Sequence, residues 1–431
     1  MAAVTPLTPD YVARPYWWDE VDLPQAAPVR LPATVDVAVV GGGYTGLAAA
    51  WEISRAGRAV IVLDRDDIGA GASSRNGGMV HPGGKRDLSE FLAQPSGRRL
   101  WDETVAAFEG IAALSTELGI GFDWQRRGHL ELAHHPRVAR HQRGLATTYA
   151  SIGEAARFLD ASDVQGEIGS GRFFGGLLVE RSAGVHPAKL AAGLVRAAET
   201  SGAVLQGATT VLSVQRRAQG YDLETSRGVM RCGEVVVATN GTTDRRLVSW
   251  LGRRVLPIGS YMIATEPLDP DLATSVNPHG RMFFDTKNLL HYWRLSPDGR
   301  RVLFGGRTSL SPSSVERSRD LLHAAMVKVH PQLEGARVAR AWGGQVALTA
   351  DRFPHLGRHR DSGVVYAMGY CGSGVALSVH FGRVVGRWLC GLGDESVFAS
   401  RSWPPVPWAA HVPWLLAGAG VGFKVRDVLG R

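Results

Sequence analysis

The stretch VDVAVVGGGYTGLAAAWEI, residues 35–53, decides the fold. Val35–Val40 is a largely apolar run, as expected for a strand in the buried middle of a parallel sheet. Gly41, Gly43 and Gly46 follow in the spacing G-x-G-x-x-G and lead into helix-forming residues. In this motif the first glycine permits a tight turn, the second lets the backbone approach a pyrophosphate, and the third lets helix and strand pack closely. The stretch therefore predicts a strand, a glycine turn and a helix whose N-terminus binds a dinucleotide.

An acidic residue after the next strand supports this interpretation. The segment AVIVLDRD, residues 59–66, predicts that strand and carries Asp64, about 20 residues after the glycines. We expect the Asp64 carboxylate to accept hydrogen bonds from ribose hydroxyls, which argues against a cofactor with a 2′-phosphate. Strand, helix and acid together argue against a chance glycine turn, but they do not separate NAD from FAD.

Three later segments favour FAD. GASSRNGG, residues 71–78, places small residues and hydrogen-bond donors after the second strand, and ATNGTTD, residues 238–244, ends a later strand. GYCGSGVALS, residues 369–378, is a second glycine turn into a helix. A flavin dinucleotide is long, and its far end needs a second set of donors. The helix N-terminus at Gly372–Val375 can supply them.

The bulk composition excludes several classes of protein. The chain has 431 residues, too many for one simple core, which predicts two joined domains. Its net charge of +8 comes from scattered arginines, not a clustered basic patch, so we expect no nucleic-acid partner; attraction of anionic substrates is the alternative role of this charge. Cys232, Cys371 and Cys390 lie far apart without metal-ligand spacing, which predicts no metal site and a reducing, cytoplasmic location. No leader pattern and no apolar run of about 18 residues is seen, so we expect no transmembrane segment.

Six segments carry a resemblance to a known family. They are VVGGGYTGLAAA (39–50), GASSRNGGMV (71–80), VVVATNG (235–241), LSPDGRRVLFGGR (295–307), RAWGGQVALTADRFPHLG (340–357) and GYCGSGVALSVHFGR (369–383). With them the chain resembles the D-amino-acid oxidase superfamily of FAD-dependent amine oxidoreductases, which includes glycine oxidase and sarcosine oxidase. Within it, the chain is most similar to the branch that contains gamma-glutamylputrescine oxidoreductase. The resemblance extends from about Arg14 to Leu389.

The resemblance implies oxidation of a C–N bond of a small-molecule amine. A hydride passes from the carbon next to a neutral nitrogen to flavin N5, and water hydrolyses the resulting imine. With oxygen as the electron acceptor, the second product is hydrogen peroxide. Two alternatives are a flavin dehydrogenase that passes electrons to a partner, and a flavin-retaining protein without turnover.

The predicted fold class is α/β, with a Rossmann-like FAD-binding domain and a second, substrate domain that contains a mainly antiparallel sheet. Apolar spacing predicts mainly helix over residues 101–160, and alternating patterns predict hairpin strands over residues 204–239 and 255–308. The C-terminal tail either docks on the domain surface or lies on a membrane through its Trp, Leu and Arg residues. The expected FAD-binding domain comprises residues 30–100, 181–250 and 340–395, the substrate domain residues 101–180 and 251–339, and the tail residues 396–431.

The resemblance also implies a noncovalent FAD site. Gly344 stands where sarcosine-oxidase-like members tether flavin through a cysteine, and Asn76 stands where dimethylglycine-dehydrogenase-like members use a histidine. His81 is the remaining histidine near this loop. The expected cofactor-binding residues are Gly41, Gly43, Tyr44, Thr45, Gly46, Asp64, Arg65, Ser73, Ser74, Arg75, Asn76, Gly77, Gly78, Met79, Val211, Ala238, Thr239, Gly344, Gly372, Ser373, Gly374, Val375 and Ala376.

Three side chains are candidates for catalysis and substrate binding. Arg307 falls where sarcosine-oxidase-like relatives place an active-site histidine, Tyr292 lies in an active-site aromatic segment, and Tyr261 alternates on a neighbouring strand. A surface turn is the alternative for Arg307, which otherwise suits recognition of anionic groups, and core packing is the alternative for the tyrosines. Ala376 and Leu303 stand where relatives have lysines that hold an α-carboxylate and activate oxygen. We therefore expect an amine whose polar group lies farther from the reacting carbon, with oxygen or a partner as electron acceptor.

Overall fold

The computed structural model describes residues 5–23, 30–307, 313–393, 395–407, 422–423 and 426–427. Within these residues, two large sheets and one two-stranded sheet form the frame. The strands are β1 Leu7–Val12, β2 Thr34–Val40, β3 Val60–Leu63, β4 Met79–Val80, β5 His129–Leu132, β6 Ala156–Leu159, β7 Gly176–Val179, β8 Ala183–Gly184, β9 Val204–Gln206, β10 Val211–Arg216, β11 Tyr221–Thr225, β12 Gly228–Val237, β13 Leu256–Thr265, β14 Met282–Asp285, β15 His291–Leu295, β16 Val302–Gly306, β17 Val338–Leu348, β18 His355–Arg358 and β19 Val365–Met368. The helices are α1 Tyr44–Arg55, α2 Ala72–Arg75, α3 Leu88–Leu92, α4 Gly97–Leu118, α5 Pro136–Ser151, α6 Ala161–Ile168, α7 Pro187–Thr200, α8 Pro270–Val276, α9 Val315–Val329 and α10 Gly374–Leu389. Short 3₁₀ helices span Tyr16–Asp19, Asn240–Thr242, Leu251–Arg253, Pro331–Leu333 and Val397–Ser400.

An eight-stranded sheet contains the predicted strand, turn and helix. β2 lies at its centre and pairs in parallel with β3 and β12, while β9 extends the parallel part beyond β3. β10, β11 and β12 form the hairpins that the alternating pattern predicts. β19 pairs in parallel with β12, so a strand from late in the sequence lies close to the first βα unit.

Helices α1 and α10 approach each other closely at small residues. A Cβ on Gly382 would overlap the carbonyl oxygen of Thr45, and one on Gly386 would lie 2.7 Å from that of Ala49. Both contacts are far closer than van der Waals separation, so a side chain at either glycine would force the helices apart. This packing holds the second glycine turn, which precedes α10, next to the first one, which precedes α1.

A nine-stranded sheet has the order β1-β17-β13-β16-β15-β14-β5-β7-β6. Strands β13 to β17 pair antiparallel where they are neighbours, but β1–β17 and β14–β5 run parallel, so the sheet is mixed. Alternate side chains on one of its faces pack in a core with helices α8 and α9. The opposite face borders the cavity described in the next subsection.

Two strands of this sheet lie in the region predicted as mainly helix. Helices α4 and α5 account for the helical pattern. Strand β5 lies between them and strand β6 follows α5, and the prediction missed both strands. Each has only four residues, too few alternations to stand out beside two long amphipathic helices.

The division into two domains stays a prediction. β17 crosses the expected boundary at residue 340 and pairs with β13 from Val338 to Leu348. Helix α4, expected in the substrate domain, contributes Trp101 and Phe108 to a core shared with α1 and α10. The two halves are thus joined by continuous strands and shared packing.

Much of the C-terminal tail, residues 408–421, 424–425 and 428–431, lies outside the described residues, and with it the segment on which the membrane alternative rests. Where the tail is described, Phe423 packs beside Ile258 and Leu289. Asp427 accepts hydrogen bonds from the backbone and side-chain amides of Asn288 over 2.8 and 2.7 Å. These are contacts of a docked segment. Among the described residues, none of the helices combines the length and apolar content that crossing a bilayer requires.

Candidate active site

The glycine turn between β2 and α1, residues 41–46, leaves little room for side chains. Gly41 has a φ of +109°, and a Cβ there would lie 2.8 Å from the carbonyl oxygen of Ala238. A Cβ on Gly46 would overlap the carbonyl oxygen of Gly41. The first and third glycines are therefore required by the packing of the turn itself, as the motif predicts. A Cβ on Gly43 would instead project toward the next loop.

That loop, residues 71–80, folds against the glycine turn. The hydroxyl of Ser73 accepts a hydrogen bond from the amide of Tyr44 over 2.9 Å. The side chain of Asn76 donates to the carbonyl oxygens of Ala72 and Ser73, over 3.1 and 2.8 Å, and accepts from the amide of Gly78 over 2.8 Å. Asn76 is thus engaged in holding its own loop.

Three tryptophans fasten the 71–80 loop to the rest of the protein. The indole of Trp17 donates to the carbonyl oxygen of Asn76 over 2.8 Å, and that of Trp18 donates to the hydroxyl of Ser74 over 3.0 Å. Trp342, on β17, donates to the carbonyl oxygen of Arg75 over 2.8 Å. The loop is therefore fixed to the 3₁₀ helix Tyr16–Asp19 and to the nine-stranded sheet.

A small cavity of about 260 Å³ opens beside the glycine turn at the ends of β2 and β3. Asp64 lies at its wall, where its carboxylate accepts hydrogen bonds from the amides of Gly42 and Asp66 over 2.6 and 3.0 Å. Burial raises the pKa of Asp64, and the two amides act in the opposite direction. Each carboxylate oxygen retains a second lone pair for a ligand. Of the expected cofactor residues, Gly41, Asp64, Arg65, Val211 and Thr239 line this cavity.

A larger cavity of about 370 Å³ lies between the 71–80 loop, the second glycine turn and the nine-stranded sheet. Predicted residues from separate parts of the sequence meet there. Gly344 has no side chain, and the nearest atom to a Cβ at that position would be Cβ of Arg75, 3.9 Å away. The predicted residues that line this cavity are Arg75, Asn76, Gly77, Met79, Tyr292, Arg307, Gly344, Gly372, Ser373 and Val375.

Arg307 lies beside the second glycine turn. Its Nη2 donates to the carbonyl oxygen of Cys371 over 3.4 Å and would lie 3.2 Å from a Cβ on Gly372. The side chain is buried, and burial lowers its pKa. Among the described residues Arg307 forms no ion pair, so it is a buried cation that faces the cavity without an acidic partner.

Strand alternation decides which predicted aromatic residues reach the large cavity. Tyr292 lines it and shares a hydrogen bond of 3.0 Å with the hydroxyl of Ser260. Tyr261 lies on the opposite face of β13, where its hydroxyl donates to the carbonyl oxygen of Ser313 over 2.6 Å and its ring packs in the core. Trp293 is a core residue as well. The structure thus does not bring Tyr261 to the predicted site.

The other expected cofactor residues line neither cavity. Thr45 shares a hydrogen bond of 2.7 Å with the hydroxyl of Tyr370, and Ala376 packs in the core shared by α1 and α10. They support the walls of the site or lie between its two cavities. These residues are Gly43, Tyr44, Thr45, Gly46, Ser73, Ser74, Gly78, Ala238, Gly374 and Ala376.

Several charged residues of the large cavity were missed by the sequence analysis. Burial lowers the pKa of Lys85 to about 8, and the nearby Arg307 acts in the same direction. Burial raises the pKa of Glu131, which the charge of Lys85 opposes. Asp285 also lines the cavity but is paired with Lys287 over 2.7 Å.

The sequence does contain a signal for one of them. In HLEL, residues 129–132, Leu130 and Leu132 alternate with His129 and Glu131, which is the pattern of a strand with one polar face. The strand places His129 and Glu131 on the cavity side. Lys85 lies in a loop, where no periodic pattern indicates which way a side chain points.

The donor groups and spaces of this site fit FAD. The small cavity borders the glycine turn at Gly41, and the large cavity borders the 71–80 loop, which is hydrogen bonded to that turn, so a dinucleotide that crosses the turn would reach both cavities. Glycines stand where a side chain would fill the narrow region between the turn and the 71–80 loop.

One cluster outside the site, Glu20, Asp123 and His186, has the geometry of a metal site. The ammonium of Lys189 lies there, 2.8 Å from Glu20 and 2.9 Å from Asp123. A lysine thus neutralises these carboxylates.

Comparisons with known proteins agree with the geometry. The family model for FAD-dependent oxidoreductases matches residues 36–388. Gamma-glutamylputrescine oxidoreductase of Escherichia coli (strain K12) is 32% identical over 413 residues, which cover 92% of this chain and 94% of that protein. Glycine oxidase of Geobacillus kaustophilus (strain HTA426) is 27% identical over 363 residues, covering 81% and 91%. The crystal structure of glycine oxidase from Geobacillus kaustophilus has the same fold, with a TM-score of 0.73 at 23% identity over 86% of this chain and 99% of that chain.

Proposed function

Because the chain belongs to the family of FAD-dependent oxidoreductases, we propose that it oxidises a carbon–nitrogen bond of an elongated amine. The observation that carries this proposal is the large cavity. It begins at the 71–80 loop and the second glycine turn and continues to the charged side chains of Lys85 and Glu131. A substrate that fills it places its amine beside the cofactor site and a polar group at the far end.

The glycine turn would hold the pyrophosphate of FAD, Asp64 and Thr239 would hold the adenosine, and Gly77 and Gly372 would leave room for the flavin. We infer that the cofactor is noncovalent, because the two tethering positions offer no nucleophile: Gly344 lacks a side chain, and the side chain of Asn76 bonds to its own loop. When bound, FAD supplies the two-electron oxidation, taking the hydride from the carbon next to nitrogen, after which water hydrolyses the imine.

Arg307 acts on the charge of the substrate. A buried guanidinium without an acidic partner binds a carbonyl or carboxylate oxygen well. A cation also disfavours protonation of an amine bound nearby, which keeps the reacting nitrogen neutral, as hydride loss requires. Tyr292 and Ser260 provide the polar wall on the sheet side, and their hydroxyls are hydrogen bonded to each other.

A γ-glutamylated diamine is the first candidate substrate. The relative of Escherichia coli is named for gamma-glutamylputrescine, and this chain matches it over nearly its whole length. Such a molecule is an elongated amine with its polar head far from the reacting carbon. The packing of Ala376 in the core fits the same view, because no lysine at that position holds an α-carboxylate next to the flavin.

The electron acceptor has two candidates, oxygen and a protein or quinone-type partner. Leu303 is fully buried in an apolar cluster with Met262 and Trp342. The strand before Arg307 therefore lacks the lysine that serves oxygen in sarcosine-oxidase-like relatives. This observation favours a dehydrogenase as the second candidate function.

The decisive experiment mixes the purified yellow protein anaerobically with γ-glutamylputrescine, N-acetylputrescine, glycine and sarcosine. We expect γ-glutamylputrescine to bleach the oxidised flavin fastest. Reoxidation by oxygen, with hydrogen peroxide measured, separates an oxidase from a dehydrogenase. A flavin that none of these amines bleaches would contradict the proposed function.

A further inference from the structure

Glu131 lies in the same row of the nine-stranded sheet as Tyr292. Tyr292 pairs with Phe284, and Phe284 pairs with Glu131 on the next strand. Tyr292 borders the cofactor loop, since a Cβ on Gly77 would lie 2.9 Å from its ring. Neighbouring strands lie about 4.8 Å apart, so the two backbone positions are separated by about 10 Å. Glu131 therefore marks the end of the cavity that is remote from the cofactor loop.

The carboxylate of Glu131 faces this end of the cavity without a cation bound to it. Among the described residues it forms no ion pair. The side-chain amide of Gln142 donates to the Glu131 backbone oxygen over 3.0 Å, and a hydrogen bond from the Gln142 side chain and the charges of Lys85 and His141 oppose the effect of burial on the pKa of Glu131. A buried carboxylate without a cationic partner is costly to maintain. Asp87 does not compensate the charge of Glu131, because Asp87 is itself acidic. Its carboxylate accepts hydrogen bonds from the hydroxyl of Ser89 and the amide of Glu90.

Lys85 supplies the opposite charge on the same cavity wall. It lines the same cavity as Glu131 and Arg307, and the charges of both residues act on its pKa. It forms no ion pair with Glu131 or with any other acid among the described residues. Glu131 and Lys85 thus face one cavity with opposite charges but do not form an ion pair with each other.

We propose that Glu131 and Lys85 form a distal subsite for a zwitterionic α-amino-acid head group, with the substrate ammonium on Glu131 and the substrate carboxylate at Lys85. This assignment rests on the proposed function, because it places the reacting amine of the same molecule at the cofactor end. The two residues then determine which elongated amines the protein accepts.

The length of the cavity agrees with this assignment. In γ-glutamylputrescine, eight bonds separate the carbon that is oxidised from the carbon that carries the ammonium and carboxylate. An extended chain advances about 1.2 Å per bond, so this distance is about 10 Å. It matches the two strand spacings between Tyr292 and Glu131.

Four compounds test the contributions of the substrate's distal ammonium and carboxylate separately. γ-Glutamylputrescine carries both, glutarylputrescine lacks the distal ammonium, and 4-aminobutanoylputrescine lacks the carboxylate. γ-Glutamylbutylamide carries the complete head but lacks the reacting amine, so its binding to the holoprotein can be measured by calorimetry without turnover.

We expect γ-glutamylbutylamide to bind the wild-type holoprotein and Glu131→Gln to weaken this binding about 10- to 100-fold, as for a lost charge-assisted hydrogen bond. In anaerobic flavin reduction, Glu131→Gln should raise the apparent Kd for γ-glutamylputrescine but leave that for glutarylputrescine unchanged. Lys85→Met should raise the apparent Kd for γ-glutamylputrescine but leave that for 4-aminobutanoylputrescine unchanged. Glu199→Gln on α7 and Lys328→Met on α9, both at exposed positions, are the matched controls and should change neither Kd.

Failure of the subsite differs from failure of the proposed function. If γ-glutamylbutylamide does not bind, or if both variants weaken all probes equally, the subsite is overturned even when the flavin is bleached. If it binds in a way that depends on Glu131 and Lys85 but γ-glutamylputrescine leaves the flavin oxidised, the subsite stands and the oxidation is wrong. Flavin content of each variant shows that the fold is retained.

Discussion

The amide of Tyr44 donates a hydrogen bond to the hydroxyl of Ser73 over 2.9 Å, and this bond joins the glycine turn to the 71–80 loop. A Cβ on Gly43 would lie 2.8 Å from the same hydroxyl oxygen. The narrow space between turn and loop is therefore kept by a glycine on one side and a small serine on the other.

We expect Gly43→Val to abolish FAD retention, because its side chain would displace Ser73 and occupy the space that the pyrophosphate needs. The ratio of flavin to protein absorbance in the purified variant measures this. Gly110→Val is the control, since a Cβ at Gly110 on α4 would have no atom within 4 Å. Normal flavin content in a folded Gly43→Val protein would refute the placement of the cofactor.

The cofactor should separate from the polypeptide on acid denaturation. Gly344 and Asn76 offer no tether, and the thiol of Cys371 is engaged by Thr349 and by the carbonyl oxygen of Gly369. Chromatography of the released flavin should identify FAD. Yellow colour in the precipitated protein would show a covalent bond, and release of FMN would contradict the role of Asp64.

Substitution of Arg307 should impair flavin reduction without loss of cofactor. Arg307→Ala removes a buried cation of the cavity, and we expect a loss of about 2–4 kcal/mol in transition-state stabilisation for the true substrate. Arg307→Lys should recover part of it, because the charge returns but the planar fork does not. Rapid-mixing kinetics measures the effect. Unchanged kinetics in Arg307→Ala would make this residue a structural arginine.

Two tyrosine-to-phenylalanine variants should behave differently. Tyr261→Phe removes the hydroxyl that bonds to Ser313, so we expect a loss of about 1–2 kcal/mol in the free energy of unfolding and unchanged flavin reduction. Tyr292→Phe removes a hydroxyl that lines the cavity and should slow reduction about tenfold. Urea unfolding and rapid mixing test the pair, and slowed reduction in Tyr261→Phe would restore its predicted catalytic role.

Lys85 should make the protein less stable below about pH 8. Burial and the charge of Arg307 lower its pKa to about 8 in the folded state, while the unfolded chain retains the ordinary value of 10.5. Between these pH values the unfolded state binds more protons, so the stability cost of Lys85 is relieved as the pH rises. We expect Lys85→Met to raise the free energy of unfolding by up to about 3 kcal/mol at pH 7 and by much less at pH 10. An equal difference at both pH values would contradict this.

The sequence predicts the cofactor half better than the substrate half. The spacing of Gly41, Gly43 and Gly46 predicts a tight turn between a strand and a helix, and the structure contains this turn between β2 and α1. Tyr261 shows why the other half is harder: in an alternating strand, a shift of one residue exchanges the two faces, and the sequence alone does not fix which face is buried. Glu131 lies on a four-residue strand whose alternation is a weak signal beside two long amphipathic helices, and Lys85 lies in a loop.

The close packing of α1 and α10 has a consequence for biosynthesis. Arg383 on α10 is hydrogen bonded to Glu52 on α1, 331 positions earlier. A growing polypeptide on the ribosome exposes the apolar side of α1 long before its partner helix has been translated. Incomplete chains that stop before α10 therefore leave the ribosome without the second donor turn. The complete cofactor site therefore exists only after α10 has been synthesised.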